Sequence, residues 1–335
     1  MRSTDQPPSL RHDPLTGRTV VVAPGRADRP NELAGDSVRC PFCAGNESLT
    51  PPDLLRAPRS PTEPWRARIV PNRFPVAMPV AMHGDASAVR AAAERSSEAD
   101  RPSRGVHDVV IESPTHVGSI LAIDPTGWRE VWELCRERLA ELSRRGDLRW
   151  ATVFKNSGAR AGASLEHVHS QLVGLDFVPP AIEAELLAAG RSADPFGDFL
   201  EQAAAEERIV EARGDLVAVA AAAPRQPFET WILPRTAERY FHETSAAHLA
   251  ALAALTQSII GRLDRLVPGA HYNWWLHQPP YAAPGGERSA TIPARWHWHL
   301  EILPRINGLA GFELGAGCHI TTVSPRDSAR LLREA

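Results

Sequence analysis

The sequence predicts an α+β fold built from a duplicated unit. Each half of the 335-residue chain contains a strand, a long amphipathic helix, a second strand and a short histidine-containing strand. The histidine strands share the pattern His-x-His-x-Gln/Glu, at residues 167–171 and 297–301. Because the same order of elements occurs twice, we expect antiparallel sheets with a long helix in each half. The predicted halves are residues 1–178 and 179–335.

Two long helices are predicted from their capping residues and from apolar residues spaced three and four apart. Asp124, followed by proline, begins the first helix, which extends to about Arg145. Ser245 begins the second helix, which extends to about Val267. A surface loop is predicted at 84–104, which is charged and poor in large apolar residues. Strands are predicted at 18–23, 108–113, 151–156, 228–234 and 272–277.

Composition and charge exclude several classes of protein. The formal net charge of −3 argues against general nucleic-acid binding, which needs a basic surface to neutralise phosphates. The apolar stretches are far shorter than the roughly 20 residues of a membrane-spanning helix, so we expect no membrane insertion. The first residues contain no apolar signal core, and four cysteines in a chain of this size make no disulfide framework. We therefore expect a cytoplasmic protein.

The two histidine strands each place three polar side chains on one face, because successive residues of a strand point to opposite faces. In the first copy these residues are His167, His169 and Gln171. In the second copy they are His297, His299 and Glu301. The opposite face is predicted to carry Val168, Ser170, Leu172, Trp296, Trp298 and Leu300. Such a strand is either the wall of a site or a solvent-exposed polar face, and the duplication favours a site.

The pair Cys40 and Cys43 has the C-x2-C spacing that places two thiolates on one tetrahedral zinc ion. Two further ligands would have to come from elsewhere, with His116 and His167 as candidates. The alternatives are two ordinary core cysteines or a redox pair. The other two cysteines are predicted to be core or incidental residues.

A histidine nucleophile suits an electrophilic phosphorus, since neutral imidazole attacks at neutral pH and splits one transfer into two easier steps. The charge on the phosphoryl oxygens then needs fixed donors, and a glutamine amide such as Gln171 donates without titrating. The Gly- and Ala-rich segment 156–164 precedes the first histidine strand. Its backbone N–H groups are suited to close approach to phosphate.

The run Gly-Ala-Ser-x-x-His-x-His-x-Gln at 162–171 resembles the active-site motif of galactose-1-phosphate uridylyltransferases and their relatives in the histidine-triad superfamily. The resemblance covers most of the chain and implies two histidine-triad-like halves. Its further motifs lie at 13–17, 26–30, 40–43, 71–75, 112–116 and 297–299.

The resemblance assigns a role to each motif residue. His169 would form a nucleotidyl-histidine intermediate, and Gln171 would hold the phosphoryl oxygens where hydrolytic relatives carry a third histidine. The implied structural zinc ligands are Cys40, Cys43, His116 and His167. A second metal site, for Zn²⁺ or Fe²⁺, would use Glu185, His277, His297 and His299. Nucleotide and phosphate contacts would be Asn72, Arg73, Asn156 and Ser164. In the family, residues matching Arg26 and Arg29 approach the site across a dimer interface, which implies a homodimer.

Two departures separate this chain from the uridylyltransferase pattern. The usual His-Pro-His-Gly-Gln is His-Val-His-Ser-Gln here, and a serine at position 170 is similar to plant ADP-glucose phosphorylases. The segment 311–320 resembles the same branch and lacks the tail lysine that uridylyltransferases place near the sugar phosphate. Lys155 is the only lysine in the chain, so no other lysine replaces it.

The leading hypothesis is a ping-pong nucleotidyltransferase that moves a nucleoside monophosphate between sugar 1-phosphates, as in UDP-glucose:galactose-1-phosphate uridylyl transfer. The alternative within this class is phosphorolysis of a nucleotide sugar such as ADP-glucose, with phosphate as acceptor. Two other classes are a histidine-triad nucleotide hydrolase and a non-catalytic nucleotide-binding protein. The histidines without a motif are predicted to be surface or cap residues: His12, His83, His107, His242, His248, His271 and His319.

Overall fold

A ten-stranded antiparallel sheet forms the centre of the molecule. The computed structural model describes residues 7–29, 40–79, 101–281 and 292–335. In chain order, its strands are β1 (Ser9–His12), β2 (Thr19–Val22), β3 (Leu55–Ala57), β4 (Ala67–Pro71), β5 (Arg101–Pro102), β6 (Gly105–Ile111), β7 (Trp150–Ser157), β8 (His169–Leu175), β9 (Ile209–Arg213), β10 (Leu216–Ala220), β11 (Thr230–Pro234), β12 (Tyr272–His277) and β13 (His299–Pro304). The large sheet has the order β3-β4-β6-β8-β7-β12-β13-β11-β10-β9, and β2-β1-β5 form a small separate sheet.

The sheet order confirms the predicted duplication. Counted outward from the centre, the first half supplies β7-β8-β6-β4-β3 and the second half supplies β12-β13-β11-β10-β9. The halves meet where β7 pairs with β12, with Tyr272 opposite Ser157. Antiparallel sheets were predicted, and in the structure they join into one continuous sheet.

The two long helices begin at the predicted caps. In the described residues the α-helices are α1 (Pro125–Ser143), α2 (Pro180–Ala189), α3 (Pro195–Ala205), α4 (Ala246–Leu266), α5 (Gly311–Ala316) and α6 (Pro325–Glu334). Asp124 Oδ1 accepts hydrogen bonds from the backbone N–H groups of Thr126 and Gly127, both at 3.0 Å. The Ser245 hydroxyl accepts one from the N–H of His248 at 3.1 Å. These bonds satisfy donors of the first turn that have no partner within the helix.

Helices α1 and α4 cover one face of the sheet. The Trp128 indole on α1 donates to the Thr256 hydroxyl on α4 at 2.9 Å, and both helices share the main apolar core with the strands. Helix α4 has 21 residues and a mean hydropathy of 1.2. By length and composition alone, it is the one helix in the described ranges that could cross a membrane. Its apolar side lies in the core against α1 and the sheet, as in a core helix of a folded domain.

The opposite face of the sheet is covered unequally. Helices α2 and α3 pack over the second half, where Phe196 and Leu186 share a core with Val217 of β10. Over the first half there is a smaller cluster, which includes Phe42 and Val109. The first half therefore keeps room above its strands.

Both histidine strands begin two residues later than predicted, at His169 and His299. Trp298 and Leu300 pack in the helix-side core as expected. The prediction for Trp296 was wrong, because this residue packs on the opposite face, with its ring centroid 5.2 Å from that of Phe196. The alternation of a strand does not extend to residues that precede it.

Two N-terminal predictions have different outcomes. The strand predicted at 18–23 is β2, and it is confirmed. The loop predicted at 84–104 is wrong at its end, because residues 101 and 102 form β5 and pair with β1, with Arg101 opposite Leu10. Backbone pairing with β1 decides the structure there, which composition does not reveal. The remainder of that prediction, up to residue 100, lies outside the described residues.

Candidate active site

His169, the first residue of β8, has one nitrogen bound to the backbone and one without a hydrogen-bond partner among the described residues. Its Nδ1 lies 2.8 Å from the His167 carbonyl oxygen, which only accepts hydrogen bonds. Nδ1 therefore carries the proton and Nε2 keeps its lone pair. Burial, together with the charge of Lys155, lowers the pKa of His169 to about 3. The neutral ring with a free Nε2 is the form of histidine that attacks an electrophile.

A cavity of about 420 Å³ lies beside His169 over the first half of the sheet. The sequence-predicted residues on its wall are Arg29, Asn72, Arg73, Ser164, His169 and Gln171. Apolar parts of the wall come from Phe42, Leu49, Val70, Phe74 and Val109. A concave site with an apolar lining and a few convergent polar groups is the usual form of a small-molecule site.

Ser164 and Arg29 give the cavity a hydroxyl and a cation. The Ser164 hydroxyl is buried and has no hydrogen-bond partner among the described residues, so it is left for a bound ligand. Burial and the neighbouring Arg26 lower the pKa of Arg29 to about 10, which leaves it charged near pH 7. Arg26 is not on the wall, and its guanidinium donates to the Phe74 carbonyl at 2.8 Å. Although the resemblance implied an approach from a partner subunit, this chain places Arg29 on its own cavity.

Asn156 is the predicted contact residue that lies off the cavity wall. Its Oδ1 accepts a hydrogen bond from Asn273 Nδ2 at 2.8 Å, and the same Nδ2 lies 2.9 Å from the Ala161 carbonyl. Asn156 is therefore held by Asn273 of β12, which also binds the loop that leads to Ser164. In that loop Gly158 has φ +82°, and a Cβ there would lie 2.2 Å from the His271 ring. Only glycine permits this approach.

Under the nucleophile strand lies a buried cluster of Lys155, Glu112 and Ser170. Lys155 Nζ donates to Glu112 Oε2 at 2.5 Å and to the His169 carbonyl at 2.8 Å. The Ser170 hydroxyl donates to Glu112 Oε1 at 2.5 Å. Burial lowers the pKa of Lys155, and the charge of Glu112 opposes that effect. The serine that departs from the uridylyltransferase motif thus has a carboxylate partner, and the only lysine lies beneath the site rather than in it.

The structure brings together the four predicted zinc ligands. The ligand atoms of Cys40, Cys43, His116 and His167 all lie within 4.8 Å of one another. His167 Nε2 donates to the Ser113 carbonyl at 2.9 Å, so its Nδ1 lone pair faces Cys40 Sγ at 3.5 Å. Two thiols and two histidines, one oriented by a carbonyl, fit tetrahedral zinc.

The structure brings together three of the four residues predicted for the second metal site. Glu185 Oε2 lies 2.6 Å from His277 Nδ1, and its Oε1 lies 3.2 Å from His299 Nε2. The structure does not place His297 in this group. Its Nδ1 donates to the Pro234 carbonyl at 2.7 Å, and its ring stacks on Phe196. This residue precedes β13, and its ring and that of His299 both lie against Phe196.

The sequence-based interpretation of His107 as a surface or cap residue was wrong. His107 is 5% exposed and its Nε2 lies 3.0 Å from Gln171 Oε1. It lies on the same face of β6 as Val109, which lines the cavity. Because alternate residues of a strand lie on the same face, the alternation of β6 places His107 on the face of Val109. His83 lies outside the described residues.

Comparisons with known proteins identify the family. A family model described as a domain of unknown function, DUF4921, matches residues 76–334. ADP-glucose phosphorylase from Arabidopsis thaliana is 31% identical over 346 residues, which cover 98% of this chain and 93% of that protein. This chain belongs to the DUF4921 family, which is galactose-1-phosphate uridylyltransferase-like.

Solved structures and a second relative extend the match. The crystal structure of the Arabidopsis thaliana ADP-glucose phosphorylase with bound ADP-glucose aligns with a TM-score of 0.72, covering 98% of this chain and 99% of that one. A uridylyltransferase structure that is 26% identical aligns with a TM-score of 0.77, covering 97% and 98% of the two chains. Galactose-1-phosphate uridylyltransferase from Thermotoga maritima is 25% identical, covering 97% of this chain and 98% of that protein. This DUF4921 member is an enzyme, a nucleotidyltransferase.

Proposed function

We propose that this nucleotidyltransferase moves a nucleoside monophosphate from a nucleotide sugar to a phosphate-bearing acceptor through a covalent intermediate on His169. The observation that carries the proposal is the state of the His169 ring on the cavity wall. Its Nδ1–H is bound to the backbone, so its Nε2 lone pair is available to a substrate in the cavity.

The proposed reaction has two displacement steps at one phosphorus atom. In the first, His169 Nε2 attacks the α-phosphorus of the nucleotide sugar, the P–N bond forms, and the bond to the bridging oxygen breaks. The sugar 1-phosphate leaves with that oxygen and its electron pair. In the second, an oxygen of the acceptor phosphate attacks the same phosphorus, the P–N bond breaks, and the histidine regains its lone pair.

The donors around the cavity suit the charge that develops on the phosphoryl oxygens. Arg29 supplies a cation, and the unpartnered Ser164 hydroxyl and the Gln171 amide supply neutral donors. Fixed donors in a partly enclosed site stabilise such a charge without reorganising during the reaction. Neither neutral donor titrates, which favours transfer to a bound acceptor over proton delivery to a leaving group.

For the substrates, we infer ADP-glucose as donor and inorganic phosphate as acceptor. Lys155, the only lysine, is buried against Glu112 and is not available to a sugar phosphate in the cavity. The Arabidopsis thaliana relative that is 31% identical is named an ADP-glucose phosphorylase. Both features favour a reaction that needs no lysine at the acceptor.

The second candidate is UDP-glucose:galactose-1-phosphate uridylyl transfer. The uridylyltransferase structure superposes on this chain with the higher TM-score, 0.77 against 0.72. This similarity supports the view that closely similar folds can carry out both reactions. The two candidates differ in nucleobase and acceptor, while the residues proposed for the covalent step are the same.

Labelling the purified protein with α-³²P-labelled ADP-glucose or UDP-glucose, without acceptor, tests the covalent step. We expect an acid-labile protein label that phosphate releases as ADP, no label on His169→Ala, and normal label on the exposed-histidine control His12→Ala. Release of the label by galactose 1-phosphate and not by phosphate would identify the uridylyl reaction. Free monophosphate without acceptor would indicate a hydrolase, and tight binding without label from either donor would indicate a binding protein.

We also propose that Cys40, Cys43, His116 and His167 hold a structural Zn²⁺, and that Glu185, His277 and His299 hold a second Zn²⁺ or Fe²⁺. The first ion would tie the Cys40–Cys43 turn to His167, two residues before the nucleophile, and a closed four-ligand site leaves no position for substrate. Elemental analysis of protein purified without chelator should give at least one zinc per chain. Cys40→Ser should lose that zinc and thermal stability, while the exposed-cysteine control Cys318→Ser keeps both.

We propose a cytoplasmic homodimer with nucleotide sugars and phosphate compounds as its partners, and with neither nucleic acid nor membrane among them. Exposed apolar residues near the C-terminus, among them Phe312 and Leu314, support a subunit contact. Light scattering on the purified protein should give twice the chain mass.

A further inference from the structure

His107 is buried on β6 behind the wall of the cavity. It lies on β6, directly beside β8, where its neighbour two residues on, Val109, is opposite Gln171. It touches two residues of the cavity wall, Asn72 and Gln171, without being on the wall itself. Any effect of His107 on a substrate must therefore pass through one of these side chains.

The backbone determines which nitrogen of His107 carries the proton. The N–H of Val76 points at His107 Nδ1 at 3.1 Å. A backbone N–H only donates, so Nδ1 is the acceptor and the neutral ring carries its proton on Nε2. Burial supports the neutral form, since it lowers the pKa of His107 to about 4.

Within the described part of the chain, the proton on Nε2 has one acceptor within reach. Gln171 Oε1 lies 3.0 Å from Nε2, and Asn72 Nδ2 lies 3.1 Å from it. The Asn72 amide is itself oriented, because its Oδ1 accepts from the Phe74 N–H at 2.8 Å and its Nδ2 therefore faces His107. Of these two neighbours only Gln171 Oε1 accepts, so the His107 Nε2–H is directed to it.

We propose that His107 is a positioning residue that fixes the orientation of the Gln171 side-chain amide. With Oε1 held by His107, the two N–H bonds of Gln171 are left for the cavity, where they donate to the phosphoryl oxygens of the transferred group. This role rests on the proposed transfer at His169. Without His107 the amide is free to turn by half a rotation and present its oxygen to the anionic phosphoryl group, which is repulsive.

The chain of contacts thus begins at a backbone amide and ends at the substrate. The Val76 N–H selects the tautomer of His107, the tautomer selects the orientation of Gln171, and Gln171 presents donors to the phosphoryl group. A glutamine amide has nearly the same shape in both orientations, so its own packing does not select between them. A neighbour that only donates makes that selection.

Three variants test the proposal by activity. In His107→Asn the shorter side chain still accepts from Val76 but does not reach Gln171, and we expect kcat to fall about 10- to 100-fold with KM changed less than about threefold. In His107→Gln an amide N–H replaces Nε2–H, and we expect kcat within about fivefold of the parent. The double variant His107→Asn/Gln171→Ala should be no slower than Gln171→Ala, because the two residues act on one interaction.

Melting temperatures of all variants separate positioning from folding, and they should agree within a few degrees. Parental kcat in His107→Asn, equal losses in the asparagine and glutamine variants at equal melting temperature, or additive losses in the double variant would overturn the proposal.

A second measurement does not depend on activity, and it uses a variant only to assign the signals. NMR of the whole protein labelled with ¹⁵N-histidine should show His107 as the neutral Nε2–H tautomer, with its signals assigned by their loss in His107→Gln. An Nδ1–H tautomer would contradict the proposal. If the parent protein took no label from any nucleotide sugar, the proposed function would fail, while the tautomer would still report on the His107–Gln171 hydrogen bond.

Discussion

The two histidine strands repeat one pattern and form two different sites. His169 and Gln171 begin β8 as His299 and Glu301 begin β13, and each strand has a long helix on its other face. On the neighbouring strand farther from the centre of the sheet, the residue opposite Gln171 is Val109, whereas the residue opposite Glu301 is Trp231. A small side chain leaves a cavity in the first half, and a large one fills the equivalent space in the second.

Aromatic rings and charges complete the closure of the second site. The Trp231 ring stacks on His299 with centroids 4.8 Å apart, and Phe196 from α3 lies 5.4 Å from the same ring. Glu301 accepts from Arg225, which also binds Glu229. The second half therefore has a closed group of histidines and carboxylates, which suits a cation, whereas the first half has an open group of neutral and cationic donors, which suits a phosphate. The pattern His-x-His indicates a polar strand, and the strand beside it determines what that strand binds.

Replacing the first histidine of each strand gives the largest expected difference. His169→Ala should reduce nucleotidyl transfer by more than about 10³-fold because it removes the proposed nucleophile. His299→Ala should retain covalent labelling within about tenfold and lose metal content and thermal stability instead. Label incorporation, elemental analysis and melting temperature on both proteins make the comparison. Loss of labelling in His299→Ala equal to that in His169→Ala, at unchanged stability, would show that the two strands do not have separate roles.

Among the residues that the structure describes, the ion pair beneath β8 has no equivalent beneath β13, where the position corresponding to Ser170 is Leu300 in the apolar core. Lys155→Met should destabilise the protein by about 3–5 kcal/mol, since it leaves the Glu112 carboxylate buried without its cation. Denaturant unfolding measures the change. The double variant Lys155→Met/Glu112→Gln should recover part of the loss, and a double variant less stable than the single one would contradict this account.

Filling the open cavity should make the first half resemble the second. Val109→Phe places a large ring opposite Gln171, as Trp231 lies opposite Glu301, and we expect kcat/KM to fall about 10²-fold, mainly through weaker substrate binding. Calorimetric titration with the nucleotide sugar measures the binding. Val110→Phe, which points to the helix-side core, is the matched control and should reduce stability rather than affinity. Parental affinity in Val109→Phe would disprove the role given to this side chain.

The sequence predicted most of what depends on short-range pattern and less of what depends on strand neighbours. Caps and apolar spacing predicted α1 and α4, and the repeated order of elements predicted the duplicated sheet. The spacing of Cys40 and Cys43 and the family motif predicted the residues that the structure groups with His167. His107 contacts Gln171 because β6 pairs with β8, and no local sequence pattern predicts which strands pair. The face of one residue before a strand was also predicted wrongly, that of Trp296, because alternation holds only within the strand.

Ser170 has the strand position that Leu300 has in the second half, and the uridylyltransferase motif has a glycine there. Replacing Ser170 by glycine should give the smallest effect on activity. The Ser170 hydroxyl is one of two donors to Glu112, the other being Lys155. Ser170→Gly should therefore cost about 2–4 kcal/mol of stability, from one lost hydrogen bond to a buried carboxylate and from the added freedom of glycine in a strand. Because Lys155 still holds the His169 carbonyl, kcat should fall less than about fivefold, far less than for His169→Ala. Ser170→Ala separates the two contributions, since it removes the hydrogen bond without adding backbone freedom. Equal stability of Ser170→Ala and the parent would mean that the Glu112 contact contributes nothing, and the serine would then be a neutral departure from the motif.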